Sequence, residues 1–307
     1  MRRKTAVGLL CTVAAPTVLA GAASGLLRLQ AGRLRRAFTA AADASDAPGT
    51  RMVSEPPAFI TASADGSLSG ASSTGASPTG ASSADDASPT DPSRAGEAPA
   101  AALAVLGDSW VAGSAPGDPA RLLSRGLASL LGTRVHLSAF AEPSARAEAL
   151  ITQVDRTLAD PHLRTSGGPR IAVVSMGTAD IVFPVTGSIT LGVLSSALTR
   201  LNRDGFAVVV LCCPNLSSLP GLRDPLRTVL RRSSRVLAGS QWLAALAAGA
   251  LPLSVTSILS GTSHGGLVDP SGQRPSPLGR RQLAAAILHE IAQRYALPQY
   301  SRAGDDA

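Results

Sequence analysis

The chain has 307 residues, a formal charge of +7, 45% apolar residues and only 3% aromatics. The positive excess is almost wholly arginine, divided between the flanks of an apolar N-terminal run and scattered helical positions. No dense basic stripe interleaved with aromatics occurs, which argues against a nucleic-acid partner. The three cysteines are Cys11, Cys212 and Cys213. None has the spacing of a metal site, and neighbours on a strand point to opposite faces, so neither a disulfide framework nor a metal is expected.

Arg2, Arg3 and Lys4 precede an apolar run over residues 6–27, followed by Arg28, Arg33, Arg35 and Arg36. A run of this length matches the roughly 20 residues needed to cross a hydrocarbon core. Residues 1–36 therefore read as a membrane anchor. A signal segment is the alternative, since small residues lie near Ala20–Ala23. The basic residues on the two sides of the run are nearly balanced, so the side of the membrane stays open. Residues 37–100 are rich in Ser, Ala, Gly, Pro, Thr and Asp, with G-A-S repeated loosely near residues 70–80. Such a segment has little apolar surface to offset its ordering entropy, and it reads as a disordered linker.

At residue 101 the texture changes. Short apolar runs at 103–106, 134–139, 170–175, 206–212 and 251–255 alternate with helical patterns at 119–131, 145–158, 189–203, 225–248 and 276–295. Strands apolar on both faces, separated by helices, predict an α/β domain with a parallel sheet of about five strands between two helical layers. The domain spans 101–297, and residues 298–307 read as a disordered tail. Ligands of such sheets bind beyond the C-terminal strand ends.

The first strand runs into Leu106-Gly107-Asp108-Ser109-Trp110. A serine just past a strand end, at the start of a helix, suits a nucleophile, because helix-start N–H groups can stabilise an oxyanion. Taken alone, Asp108 and Ser109 could equally be turn and N-cap residues. Three more segments follow in order. They are Ser144-Ala145-Arg146-Ala147, Val173-Val174-Ser175-Met176-Gly177-Thr178-Ala179-Asp180 and Ser271-Gly272-Gln273-Arg274-Pro275-Ser276-Pro277-Leu278-Gly279. With Ala104–Ser109 they resemble the four blocks of the SGNH/GDSL-type hydrolases, and particularly the actinobacterial-like, membrane-anchored branch. Cys213-Pro214-Asn215-Leu216 also has the look of that branch.

The resemblance implies a three-layer α/β/α, flavodoxin-like domain and an ancestral carboxylic-ester hydrolase without metal or cofactor. Ser109 stands at the nucleophile position, and the Ser144 N–H at an oxyanion position. The departures are at the other polar groups. Ala179 replaces the family Asn, Ser271 replaces the family Asp, and Arg274 replaces the family His. Arginine stays protonated and cannot take the serine proton as a general base. Loss of a single oxyanion donor costs about 10²–10³ in rate in a protease of known behaviour. The resemblance therefore implies an impaired enzyme.

The four histidines are His136, His162, His264 and His289. His136 falls in a strand, His162 in a loop and His289 in the last helix. His264, in Ser263-His264-Gly265-Gly266, is the one that could reach the site from a displaced loop. Asp269 before Pro270 reads as a turn residue. Three functions stay open: an impaired hydrolase that binds a small anionic or ester ligand, a working esterase with an unusual base, and an envelope scaffold. In the first, Arg274 would favour a carboxylate or phosphate, with Asp108 and Asp180 beside it; alternatively Arg274 is solvated or pairs with one of these aspartates. The other expected partner is the membrane, through the N-terminal segment.

Overall fold

The computed structural model describes residues 28–36, 60–62, 68–70, 101–113, 117–183, 187–260 and 266–294. In chain order the elements are α1 (residues 28–36), β1 (Ile60–Ala62), β2 (Leu68–Gly70), β3 (Ala101–Gly107), α2 (Pro119–Leu131), β4 (Val135–Ala139), α3 (Ala147–Ala159) and α4 (Pro161–Arg164). There follow β5 (Arg170–Ser175), α5 (Thr178–Val182), α6 (Gly187–Arg203), β6 (Ala207–Cys212), α7 (Leu226–Ala247), β7 (Leu251–Ser254), α8 (Val255–Ser260) and α9 (Pro277–Arg294). The five strands and five long helices expected from periodicity are all present, with ends shifted by up to two residues. The short helices α4, α5 and α8 are not legible as periodic runs, because one turn or two is shorter than the repeat that would reveal them.

The sheet order is β2-β1-β4-β3-β5-β6-β7. Strands β3 to β7 are mutually parallel. The chain moves from β3 outward to β4 and then returns to β5 on the other side. Winding thus reverses beside β3, and a crevice opens past the C-terminal strand ends there.

Alternation along β3 explains why its run is apolar throughout. Ala101, Leu103 and Val105 face a core layer shared with Leu123 and Leu127 of α2 and Leu283 and Ile287 of α9. Ala102, Ala104 and Leu106 face the other layer, with Leu150 and Val154 of α3 and Leu194 and Leu198 of α6. Both faces are dry, so each side chain contributes on the order of 1–3 kcal/mol of burial. Helix α2 also illustrates local encoding. Pro119 sits at its first turn, Asp118 precedes it in an extended conformation, and Gly132 ends it at φ 62°. Proline tolerates the donor-poor first turn, and glycine accepts the left-handed cap.

Two N-terminal readings change. Residues 60–62 and 68–70, inside the segment read as linker, form an antiparallel pair. Through β1 they add to the outer side of β4. Without them β4 would be an edge strand with a row of unpaired N–H and C=O groups. Such pairing uses backbone alone, so composition did not announce it. The arginine-rich flank of the apolar run is also helical, and α1 docks on the domain. Leu34 packs against the cluster of Val182, Leu216, Leu219, Leu226 and Leu230. The Arg35 Nε donates to the Val182 carbonyl at 3.2 Å, and the Leu226 N–H donates to Gln30 Oε1 at 3.4 Å. Among the described residues no helix is long and apolar enough to cross a membrane. The run at 6–27, His264 and the tail 298–307 lie outside the described residues.

Candidate active site

The site is built from the loops that leave β3, β4, β5 and β6, closed by the loop before α9. Gly107 ends β3 at φ 128°, and a Cβ there would stand 1.8 Å from the Ser175 carbonyl oxygen. Only glycine lets β3 and β5 run this close before they diverge. The end of β3 is held by Gln153, a buried residue of α3. Its Oε1 accepts from the Gly107 N–H at 2.6 Å, and its Nε2 donates to the Gly107 carbonyl at 3.1 Å. Gln241 of α7 forms a second amide clamp. Its Oε1 accepts from the Cys213 N–H at 2.7 Å, and its Nε2 donates to the Met176 carbonyl at 2.6 Å.

Asp108 joins two of the loops. Its Oδ1 accepts from the Trp110 N–H at 3.2 Å and from the Ser175 hydroxyl at 3.0 Å, and its Oδ2 accepts from the Thr178 N–H at 3.4 Å. It is fully buried, and burial pushes its carboxyl up to about 6, against the opposing pull of these hydrogen bonds. Asp180 is buried too. Its Oδ1 accepts from the Ala147 N–H at 3.2 Å, while its Oδ2 has no partner among the described residues. Burial raises its carboxyl as well. Both aspartates therefore tie loops together beneath the site. Cys213 lies close by, and its thiol is pushed well above the usual range, first by burial and then by Asp108 and Asp180. Such a thiol is not a nucleophile.

Ser109 is half-buried, and its hydroxyl donates to the Gln273 carbonyl at 3.1 Å. The loop before α9 thus contacts Ser109 itself, and the loop from β4 contacts the end of β3 beside it. In the latter, the Glu142 N–H donates to the Gly107 carbonyl at 3.0 Å. Ser144 follows in the left-handed region at φ 59°, the only non-glycine residue with positive φ among those described. A backbone shape that suits glycine is thus retained although the residue is serine, at about 1–2 kcal/mol. In the third block, Ala179 is buried in α5.

The last block is organised by Asp269. Its carboxylate accepts from the Ser271 hydroxyl at 2.8 and 2.9 Å, from the Gln273 N–H at 3.2 Å and from the Arg274 N–H at 3.4 Å. This is the turn role expected of it. The hydrogen bonds of Ser271 thus stay within its own turn, and Arg274, half-buried, follows Gln273, whose carbonyl accepts from Ser109. Ser276 accepts from the Gly279 N–H at 3.1 Å and caps α9. A Cβ at Gly279 would lie 1.9 Å from the Leu267 carbonyl oxygen, so the S-x-x-G spacing is a packing requirement.

The described histidines lie elsewhere. His136 pairs in register with Ala102, at the far end of β3 from Gly107, about 16 Å away at roughly 3.3 Å per residue. It stacks on His162 with ring centroids 4.9 Å apart. It also belongs to a buried Ser138–His136–Asp160 group, in which Ser138 donates to Asp160 at 2.6 Å. His289 is on α9 and meets Gln293. Beside the Ser109 loop lies a cavity of about 670 Å³, lined by Trp110, Leu216, Leu259, Leu267 and the turn at Asp269 and Gly272. Its walls are mainly apolar. Gln153, Gln241, Gln273 and Thr178 carry none of the motif chemistry and were not legible as site residues. The one available signal was a glutamine in an otherwise apolar helical stripe, as with Leu150, Gln153 and Val154.

This arrangement, a strand–Gly-Asp-Ser turn at the winding reversal tied to the loops after β4 and β5 and to the loop before α9, matches an SGNH-type α/β/α hydrolase fold. The lipase/acylhydrolase from Enterococcus faecalis shares that fold, with a TM-score of 0.50 at 16% identity over 63% of this chain and 96% of that one. In sequence the chain is 31% identical to a GDSL-like esterase of Mycobacterium tuberculosis over 162 residues. The match covers 52% of the chain and spans about half the length (50%) of that relative. No family model matches the sequence. The chain thus has an SGNH-hydrolase-like fold and is similar in sequence, over about half its length, to a GDSL-like esterase.

Proposed function

We propose that this protein is a catalytically impaired SGNH/GDSL-type ester hydrolase, held at a membrane by its N-terminal segment, whose site binds a small ester or anionic ligand. The observation that carries the reading is the partner of Ser109. Its proton is donated to a backbone carbonyl, that of Gln273, and not to an imidazole. A carbonyl oxygen accepts a hydrogen bond but is far too weak a base to remove the proton as the oxygen attacks. Arg274, next in sequence, is permanently charged. The Ser109 oxygen would thus have to attack an ester carbonyl with its proton still attached, and with Ala179 supplying no amide donor. The apolar cavity beside the loop supports binding of an acyl or similarly apolar group, and Arg274 supports an anionic one.

A working esterase is the second reading, favoured by the similarity to the GDSL-like esterase of Mycobacterium tuberculosis. It requires a base, and His264 is the candidate from the sequence. Hydrolysis of p-nitrophenyl acetate by the full chain separates the two. Impairment predicts turnover no higher than that of Ser109→Ala. It also predicts a gain when Ser271→Asp, Arg274→His and Ala179→Asn are combined, with little from any one alone, because such groups act as a unit. Wild-type turnover that disappears with Ser109→Ala overturns impairment. If it also disappears with His264→Ala, that histidine is the base.

A further inference from the structure

We infer that the outer faces of α1 and α7 form a second membrane contact, a basic and apolar surface that lies flat on an anionic phospholipid bilayer. The inference rests on the membrane-anchor part of the proposed function and adds a side of the domain to it.

Helix α7 has an inward stripe, Leu226, Leu230, Ser234, Gln241 and Ala245. Its opposite face is unusual for a solvated surface. Val229, Val236 and Leu243 recur every seven residues and are exposed by 44%, 65% and 69%. Leu246 and Trp242 continue the strip at 54% and 38%. Around its first half stand Arg227, Arg231, Arg232 and Arg235, all exposed, and the helix contains no acidic residue. Helix α1 lies alongside. Arg28, Ala31 and Leu34 flank a groove with Leu226, Val229 and Ser233 on its other wall. Arg28, Arg33 and Arg36 are exposed, and no acidic residue occurs in 28–36. None of the ion pairs among the described residues uses any of these seven arginines.

Charge and continuity select the occupant. A second copy of the same face would set arginines against arginines across a two-fold axis. An anionic surface complements them, and exposed Leu, Val and Trp beside arginine are the composition of helices that lie in a bilayer interface. The apolar run 6–27 leads in sequence into the described residues of α1, which is fixed to the domain through Leu34, Gln30 and Arg35. A bilayer holding that run would therefore meet the chain next to α1 in sequence. Leu216 belongs both to the cluster that receives Leu34 and to the wall of the cavity, so the surface adjoins the candidate site.

The test uses the full chain reconstituted in phosphatidylcholine vesicles with or without phosphatidylglycerol, some carrying brominated acyl chains that quench tryptophan. Of the two tryptophans, Trp110 is buried at 2% exposure, so Trp242 supplies the quenchable signal, and Trp242→Phe checks this. The expected result is quenching of Trp242 in phosphatidylglycerol vesicles, weakened by high salt. It should fall at least severalfold in the Arg227→Ser, Arg231→Ser, Arg232→Ser, Arg235→Ser variant, since each surface arginine changes anionic-bilayer affinity by about fivefold. A chain that floats with the vesicles while Trp242 stays unquenched overturns the surface and leaves the anchor standing. Equal quenching in wild type and the arginine variant, or in both lipid compositions, overturns the charge complementarity on which the inference depends. A chain that does not float overturns both the surface and the anchor.

Discussion

The amide clamp of Gln153 gives the most direct test of how the candidate site is held. In Gln153→Leu the volume is nearly kept and both hydrogen bonds to Gly107 are lost. The two losses are unequal. The Gly107 carbonyl keeps a second donor, the Glu142 N–H at 3.0 Å, so its loss is an ordinary net hydrogen bond of about 0.5–1.5 kcal/mol. The Gly107 N–H loses the 2.6 Å bond to Gln153 and becomes a buried orphan, which costs about 1–3 kcal/mol. The sum is about 1.5–4.5 kcal/mol, a large part of the stability of an ordinary domain. Urea unfolding followed by far-UV circular dichroism reads it, as a lower midpoint at unchanged slope. Gln153→Glu sharpens the case. Its carboxylate can still accept from Gly107 N–H but cannot donate when ionised, and burial raises its protonation pH, so its deficit should shrink on acidification. A Gln153→Leu shift below about 0.5 kcal/mol would refute the reasoning, since it falls short of even one net hydrogen bond.

Asp108 predicts a pH dependence of defined sign. Its folded-state value of about 6 lies above the ordinary 3.8 because burial disfavours the charge, so protonation favours the folded state. Its contribution is fully present below the unfolded value and is lost as pH rises through about 6. Denaturant midpoints taken across that window should show this slope in wild type and a shallower one in Asp108→Asn, where Asp180, also raised by burial, keeps its own share. His136 is lowered chiefly by burial, so it acts in the opposite sense, losing stability as pH falls below its ordinary 6.5, and should be followed separately in His136→Gln. Gly279→Ala should unseat the loop before α9, because the added methyl would lie 1.9 Å from the Leu267 carbonyl oxygen. A loss of about 1–3 kcal/mol in thermal or urea unfolding is expected, and wild-type stability would show that α9 shifts freely at its start.

The sequence by itself determined the α/β domain. Strands such as Val173–Val174 or Val208–Val210 are apolar on both faces, and that pattern is stable only in a sheet covered twice. It also determined which residues stand in the four loop segments, Ala179, Ser271 and Arg274 among them, because residue identity needs no coordinates. Tertiary structure alone decided the rest. That Ser109 donates to Gln273 follows from two segments separated by 164 positions meeting across the sheet end, a contact that no local pattern encodes. The roles of Gln153 and Gln241 were invisible because a buried glutamine looks like any polar residue on a helix until the backbone groups it serves are known. That Asp108 and Asp180 tie loops together was also a tertiary matter, since a carboxylate's partners depend on which donors the fold brings to it. The strands β1 and β2 escaped notice because their pairing is a property of backbone groups on an open edge, and backbone groups are the same for every residue.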